Sequence, residues 1–553
     1  MSKEVHAHAT YADLGLPSHE VAELIRKAQA SDAADHSLTL KQAVKRYKKA
    51  VFWALALSFC LVMDGYDVVV INSFYGQPQF QERFGSPIGD GTHAISAAWQ
   101  SGLSNSSVVG QLFGLTLSGY LADKIGPRKT TMGFLVWMTA SIFATFFAPN
   151  LQVLAFCLAM CGIGWGSFQT MTTTYASEVV PTVLRPYVTA WVCMCWGLGI
   201  LISSLVVKAV ENVQGEMAYK LPFALQWVWP LPLFLACYFA PESPWSSVRR
   251  DKLEEARHNI RRLRQESTTT DEDVDAYLAL IVHTTNIERA ETAGASYLDC
   301  FKGTALRRTE INCVVWAAQI LCGNAILGFS VVFLRQAGFT ASQAFSVNIA
   351  LSSCYIIGGL ICWALMARLG RATIYMGGLT VMFVLCVVIG GLGCAPAGNK
   401  GATLGIGITL VVNTLVNMIT VGPACYPIVA ETPSGRLRYK TIVIGRFVYN
   451  LTGIFSNSVT PRMVNPVAAG GWGWGAKVGF FYAGTNLLCN IWCWFRLPET
   501  KDRTFGELDV LFENKVSARK FRTTQADQFV SDRDHAEHVV VDEKVKGEHI
   551  DFA

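Results

Sequence analysis

Two aspartates and one arginine stand where an ordinary apolar helix would carry none. Asp64 and Asp67 lie three residues apart in the segment Met63-Asp64-Gly65-Tyr66-Asp67, inside an apolar run that begins near Val51. That spacing puts both acids on one helix face. Acids within a membrane span are rare, costly and usually part of an ion or substrate path. Arg446, in Gly445-Arg446-Phe447-Val448-Tyr449-Asn450, raises the same question in a later apolar run. An unpaired guanidinium there costs at least a few kcal/mol on insertion scales, so it must face a cavity or a carboxylate. Acids that exchange a proton, with a cation to answer their charge, are the parts of an ion-coupled carrier. The bland alternative is that the Asp64–Asp67 segment sits at a wet helix end.

A second set of charged residues is duplicated. Glu178 and Arg185 recur as Glu431 and Arg438. The run Asp123-Lys124-Ile125-Gly126-Pro127-Arg128-Lys129 recurs in short form as Arg368-Leu369-Gly370-Arg371, and Pro241-Glu242-Ser243 recurs as Pro498-Glu499-Thr500. All three offsets are close to 250 residues. Such a period is too long for a solenoid repeat and fits a duplicated bundle whose halves rock about a central site. Each motif alone reads equally well as a topology anchor. Together, charges at span ends on one side can pair between neighbouring helices and hold one mouth shut in one of two states.

The elements that must position these residues are membrane spans. The 553 residues are 51% hydrophobic and only 16% charged, where a soluble domain carries roughly a quarter charged residues. Apolar windows fall near 51–73, 102–122, 131–148, 151–174, 187–207, 223–240, 311–334, 344–366, 373–394, 402–429, 441–461 and 477–496. This predicts an all-α polytopic membrane protein of twelve transmembrane helices in two six-helix pseudo-symmetric halves. The expected organisation is an N-terminal segment 1–50, a bundle 51–240, a middle loop 241–310, a second bundle 311–496 and a tail 497–553. Lys and Arg concentrate in alternate connections, which by the positive-inside rule places both termini and the middle loop in the cytosol. Residues 251–266 have the spacing of a surface helix. The charged tail after Leu511 lacks apolar periodicity and is expected to be disordered.

Other classes find little support. The net charge of +5 is small for this length, which argues against nucleic acid as a partner. The sixteen cysteines lie mostly within apolar stretches and form no paired CxxC groups, so no metal site is expected. Neither a phosphate-cradling GxxxxGK[ST] loop nor a GxSxG elbow occurs. The chain is therefore read as a carrier and not an enzyme, with no cofactor, no obligate protein partner, and a small solute, protons and the bilayer as its partners.

The charged motifs, with Tyr175-Ala-Ser-Glu178, Pro241-Glu-Ser-Pro-Trp245, Glu431-Thr-Pro-Ser-Gly and Pro498-Glu-Thr-Lys-Asp-Arg-Thr-Phe505, carry a resemblance. The chain resembles the sugar porter family of the major facilitator superfamily, and within it the fungal maltose and general α-glucoside permeases. The resemblance implies alternating access and, in many members, proton-coupled sugar uptake at the plasma membrane. It implies Asp67 as the proton-carrying acid, with Asp64 and Arg446 in support. It places Gln319, Asn324 and Tyr426 among the sugar-binding positions, with Gln111 a further candidate for substrate binding and Trp196 a weaker aromatic one. At Gln111, the α-glucoside permeases have an acid that this chain lacks, so coupling must rest on Asp64, Asp67 and Arg446.

Other positions depart from a sugar pocket. Cys193 and Ile200 stand where close relatives have Asn and Gln, and Phe329, Val331, Val332 and Leu334 occupy a stretch that is more polar in maltose permeases. Each lost donor or acceptor leaves a buried sugar hydroxyl unpaired, at roughly 1–3 kcal/mol apiece. Three readings follow: a proton-coupled importer of an α-glucoside, a carrier or exporter of a less polar specialised metabolite, and a sugar sensor that transports little.

Overall fold

The computed structural model describes residues 39–524, with Glu23, Arg26 and Lys27, apart from short gaps at 89–91, 182–183, 266–269, 293–295, 397–398, 435–436, 502 and 504. Among the described residues, twelve helical segments run back and forth through one bundle. The first six are Lys48–Phe74, Ala97–Ile125, Pro127–Phe146, Leu151–Val179, Arg185–Ala209 and Met217–Phe239. The seventh is broken into Gly303–Leu321, Ala325–Gly328 and Ser330–Gln336. Then come Ala341–Arg368, Arg371–Leu392, a broken tenth of Lys400–Ile419 and Val421–Glu431, Arg438–Val464 and Val478–Arg496. Seven of these are long and apolar enough to cross a membrane on composition alone. The second and eleventh are not among them, and their polar residues are spent on each other, as described below.

Among the windows read from the sequence as continuous spans, the seventh and tenth are interrupted by breaks. The seventh turns at Gly323, whose φ of 102° is a left-handed conformation open to glycine. The tenth breaks at Thr420, with φ −124° and ψ −83°. Side-chain amides brace both breaks: Gln319 donates to the Gly422 carbonyl at 3.0 Å and Asn417 donates to Asn324 at 2.7 Å.

Inside the first half, the second and fourth spans approach closely because each presents a pair of glycines one turn apart, Gly110 with Gly114 and Gly162 with Gly166. A Cβ at Gly114 would collide with the Ile163 carbonyl, and one at Gly166 with the carbonyl of Gln111. Small residues at this spacing let helix backbones touch where no hydrophobic force drives association.

The halves interlock at the end of the bundle away from the termini. Gln100 and Asn465 exchange amide hydrogen bonds, and Asn105 donates to Ser458 at 2.8 Å, joining the second and eleventh spans. Ser204 bonds Ser352 at 2.7 Å and accepts from Asn348, joining the fifth and eighth. Tyr75 stacks on Phe329 at 6.2 Å, and Gly76 lies against Val331. Phe329, Val331, Val332 and Leu334 are thus buried packing residues of this closed end.

At the termini end, the middle segment forms two helices, Leu253–Leu263 and Asp271–Thr292, which pack through Ala256, Ile260, Val274 and Ile281. The first agrees with the surface helix read from charge spacing. Tyr47 is pinned to this layer by Arg264, whose guanidinium stacks on it at 5.1 Å and on Tyr277 at 4.5 Å. The tail corrects an expectation in part. A helix Phe505–Glu513 and residues up to 524 fold onto the base of the seventh span, with Phe512 and Phe521 buried under Arg307 and Arg308. Two widely spaced aromatics do not register as a periodic pattern, yet each fills a slot against a cation. The tail beyond 524 lies outside the described residues.

Candidate functional site

Both intramembrane acids are buried on the first span and face the fourth. Asp67 accepts a hydrogen bond from the Trp165 indole at 2.8 Å. Asp64 accepts one from the Gln169 amide at 3.1 Å. Trp165 and Gln169 are four residues apart on the fourth span, so one helix face serves both acids. The Oδ1 atom of each aspartate has no hydrogen-bond partner among the described residues.

Gln169 reaches in two directions. Its amide nitrogen donates to Asp64, while its oxygen accepts from Arg446 Nη2 at 2.9 Å. An amide is suited to this place because it offers a donor and an acceptor at once. A single side chain therefore links an acid of the first half to the cation of the second, across the middle of the bundle. Arg446 lies over Trp316 at 4.9 Å and Tyr449 at 4.5 Å, which holds its charge against aromatic faces.

Side chains of both halves gather near Arg446. Tyr426 is 48% exposed although it packs edge-on to Trp316 at 5.2 Å. Cys193 is also exposed, and both side chains lie within reach of the Arg446 charge. Trp196 meets Tyr355 at 5.6 Å across the halves, so it faces inward and not lipid. Cys193, Trp196, Ile200 and Ser204 follow one stripe of the fifth span toward the eighth, and Ile200 is buried in that seam. Gln111 is half-buried on the second span, with its backbone against Gly166. Gln319 and Asn324 brace the helix breaks described above.

Sequence reasoning did not single out Trp165 or Gln169. A glutamine in the apolar stretch Gly164-Trp165-Gly166-Ser167-Phe168-Gln169 was the available signal, since a polar amide in a span is costly without partners.

The duplicated motifs form matching networks at the termini end. Glu242 accepts from the Arg128 backbone N–H at 3.1 Å, at the start of the third span. Glu499 accepts from the Ala372 and Thr373 backbone N–H groups, at the start of the ninth. In both halves an acid thus sits at a helix N-terminus, where the helix dipole favours it. Burial raises the Glu242 carboxyl above its ordinary pKa, opposed by those backbone donors. Ser243 donates to Glu178, and Thr500 donates to Glu431 at 2.5 Å, again in matching positions. Glu178 pairs with Arg249, and Glu431 with Arg371 at 3.4 Å. Arg185 donates to the Ser177 carbonyl, Arg438 opens the eleventh span, and Asp123 is exposed at the end of the second. These pairs join neighbouring elements at the termini end: Glu178 to the middle segment through Arg249, and the tenth span to the ninth through Glu431 and Arg371. The acid of each Pro-Glu motif reaches the free N–H groups of the nearest helix start.

The chain matches the sugar (and other) transporter family over residues 53–512. The chain belongs to that family. It is 38% identical over 529 residues to the general alpha-glucoside permease of Saccharomyces cerevisiae, covering 94% of this chain and 85% of the permease. It is 36% identical over 514 residues to the maltose permease MAL31 of the same yeast, covering 92% of this chain and 83% of that one. In fold, the transporter is similar to the partially occluded inward open conformation of the xylose transporter XylE from E. coli, with a TM-score of 0.67 at 16% identity over 82% of this chain and 99% of that one. The transporter thus has the twelve-helix, two-half major facilitator fold, and as a relative of permeases it moves solutes rather than catalysing a reaction.

Removing the Gln169 bridge isolates the two charges from each other. Gln169→Leu is expected to lower the initial rate of uptake by roughly ten- to a hundredfold, the scale set by about 1.5–3 kcal/mol for a hydrogen bond to a charged group. Initial rates in a transporter-deficient host, normalised to surface protein, check this; an unchanged rate rejects a working role for the bridge.

Proposed function

We propose that this transporter carries out proton-coupled uptake of an α-glucoside or a related sugar by alternating access, at the plasma membrane with both termini cytosolic. The observation that supports this most is the Asp64–Gln169–Arg446 chain across the two halves. The Oδ1 atom of Asp64 and of Asp67 has no hydrogen-bond partner among the described residues, which leaves it available to a proton. Protonating Asp64 removes the negative charge that Arg446 senses through Gln169, so proton binding changes the attraction between the halves. A ligand shifts a two-state equilibrium only through such a difference between the states. Tyr426, 48% exposed, offers an aromatic face on which a sugar ring can rest, and Gln319, Asn324 and Gln111 are the amides nearest in kind to sugar ligands.

Uptake of radiolabelled maltose, sucrose, trehalose and glucose in a transporter-deficient yeast, at two external pH values, tests the assignment. Uptake of at least one α-glucoside, faster at the lower pH and abolished by a protonophore, is the expected result. Entry of none of these sugars rejects the sugar assignment.

The exposure of Cys193 beside Arg446 and Tyr426 favours a second reading, a less polar solute. A thiol is a weak donor and acceptor where an amide would hold a hydroxyl. Cys193→Asn should then improve sugar affinity by about 1 kcal/mol, or roughly a fivefold lower KM. No change in KM for any sugar removes Cys193 from the sugar-binding surface.

A further inference from the structure

A basic pocket at the termini end is not needed by any step of transport described above. It has a volume of about 540 Å³ and is lined by Lys49 and Trp53 of the first span, by His258, Arg261 and Arg262 of the helix Leu253–Leu263, and by Asp271. The spacing explains the convergence. Lys49 and Trp53 are one turn apart, and His258, Arg261 and Arg262 occupy one exposed face of their helix while its opposite face, Ala256, Ile260 and Leu263, is buried. Arg262 also donates to the Phe239 carbonyl at 2.7 Å, which moors the surface helix to the last residue of the sixth span. Arg261 pairs with Asp271 at 2.7 Å.

The position sets what such a pocket meets. Lys49 stands at the start of the first membrane span, and Phe52, 60% exposed, packs edge-on to Trp53 at 5.1 Å. Basic residues at a helix end followed by exposed aromatics mark the depth of the lipid headgroups. Among the residues that line it, Lys49, Arg261 and Arg262 face the single carboxylate of Asp271, so the lining is basic at that depth. We propose that it binds the phosphate of an anionic phospholipid headgroup, with the acyl chains lying along Phe52 and Trp53. Each Lys or Arg at a membrane surface adds about 1 kcal/mol toward an anionic lipid. A lipid held there would join the first span, the sixth span and the surface helix, tying the middle segment to the first half.

The full-length transporter, purified in detergent and titrated with phosphatidylcholine, phosphatidylserine or a phosphoinositide, can be read by native mass spectrometry. The expected result is selective retention of the anionic lipids. Retention should weaken on the order of a hundredfold when Lys49→Ala, Arg261→Gln and Arg262→Gln are combined. Asp271→Asn, which frees Arg261 and removes the opposing charge, should tighten it several-fold, and this variant decides the matter if the triple variant does not fold. Equal retention of all lipids, or no change in either variant, overturns the proposal. Displacement of the lipid by inorganic phosphate in excess would assign the pocket to a free anion and overturn the lipid as its occupant.

Discussion

Asp67→Asn is expected to abolish accumulation of solute against a gradient while leaving exchange of labelled for unlabelled solute across the membrane. The substitution keeps size and shape, and the amide oxygen can still accept the Trp165 indole bond. What it removes is the ability to bind and release a proton. A carrier that can no longer couple solute to protons still rocks, so label equilibrates but does not concentrate. Asp64→Asn should lose accumulation as well, and it should also slow exchange. Its neighbour Gln169 would then hold a neutral amide in place of a carboxylate, and hydrogen bonds to charged groups exceed neutral ones by about 1 kcal/mol. Steady-state label inside cells or proteoliposomes, with and without a protonophore, separates the two variants. Undiminished uphill accumulation by Asp67→Asn would show that Asp67 does not carry the coupling proton.

Gly114→Val is expected to remove most folded transporter. The added side chain would have to occupy the space of the Ile163 backbone, not that of a flexible side-chain tip. Overpacking commonly costs about 1–3 kcal/mol, and a backbone clash belongs at the upper end of that range. The damage would reach the site directly, because the fourth span that Gly114 contacts also carries Trp165 and Gln169. Gly133→Ala is the matched control, since a Cβ there meets nothing within 4 Å. Alanine also favours a helix interior over glycine by roughly 1 kcal/mol. Fluorescence-detected size exclusion after a temperature ramp compares the two. A Gly114→Val protein as heat-stable as the parent would mean that the two spans do not pack at this distance.

The spans, the duplication and the intramembrane charges were written in the sequence because each is a local property. A window of twenty apolar residues has to cross a bilayer, a repeated motif at a fixed offset has to come from a repeated unit, and Asp64, Asp67 and Arg446 stand out against their apolar neighbours. The sequence also carried Cys193, whose exposure near Arg446 emerged only from the structure. What the sequence could not decide were the partners. Residues 169 and 446 are 277 apart, and no spacing rule connects them. Gln169 became the bridge because the glycine pairs of the second and fourth spans fix how the fourth span sits, and the halves meet at the end where Gln100 pairs with Asn465. The same holds for the duplicated acids. Their types and positions were fixed by sequence, but which helix start Glu242 and Glu499 cap depended on which free N–H groups lay within reach once the helices had packed.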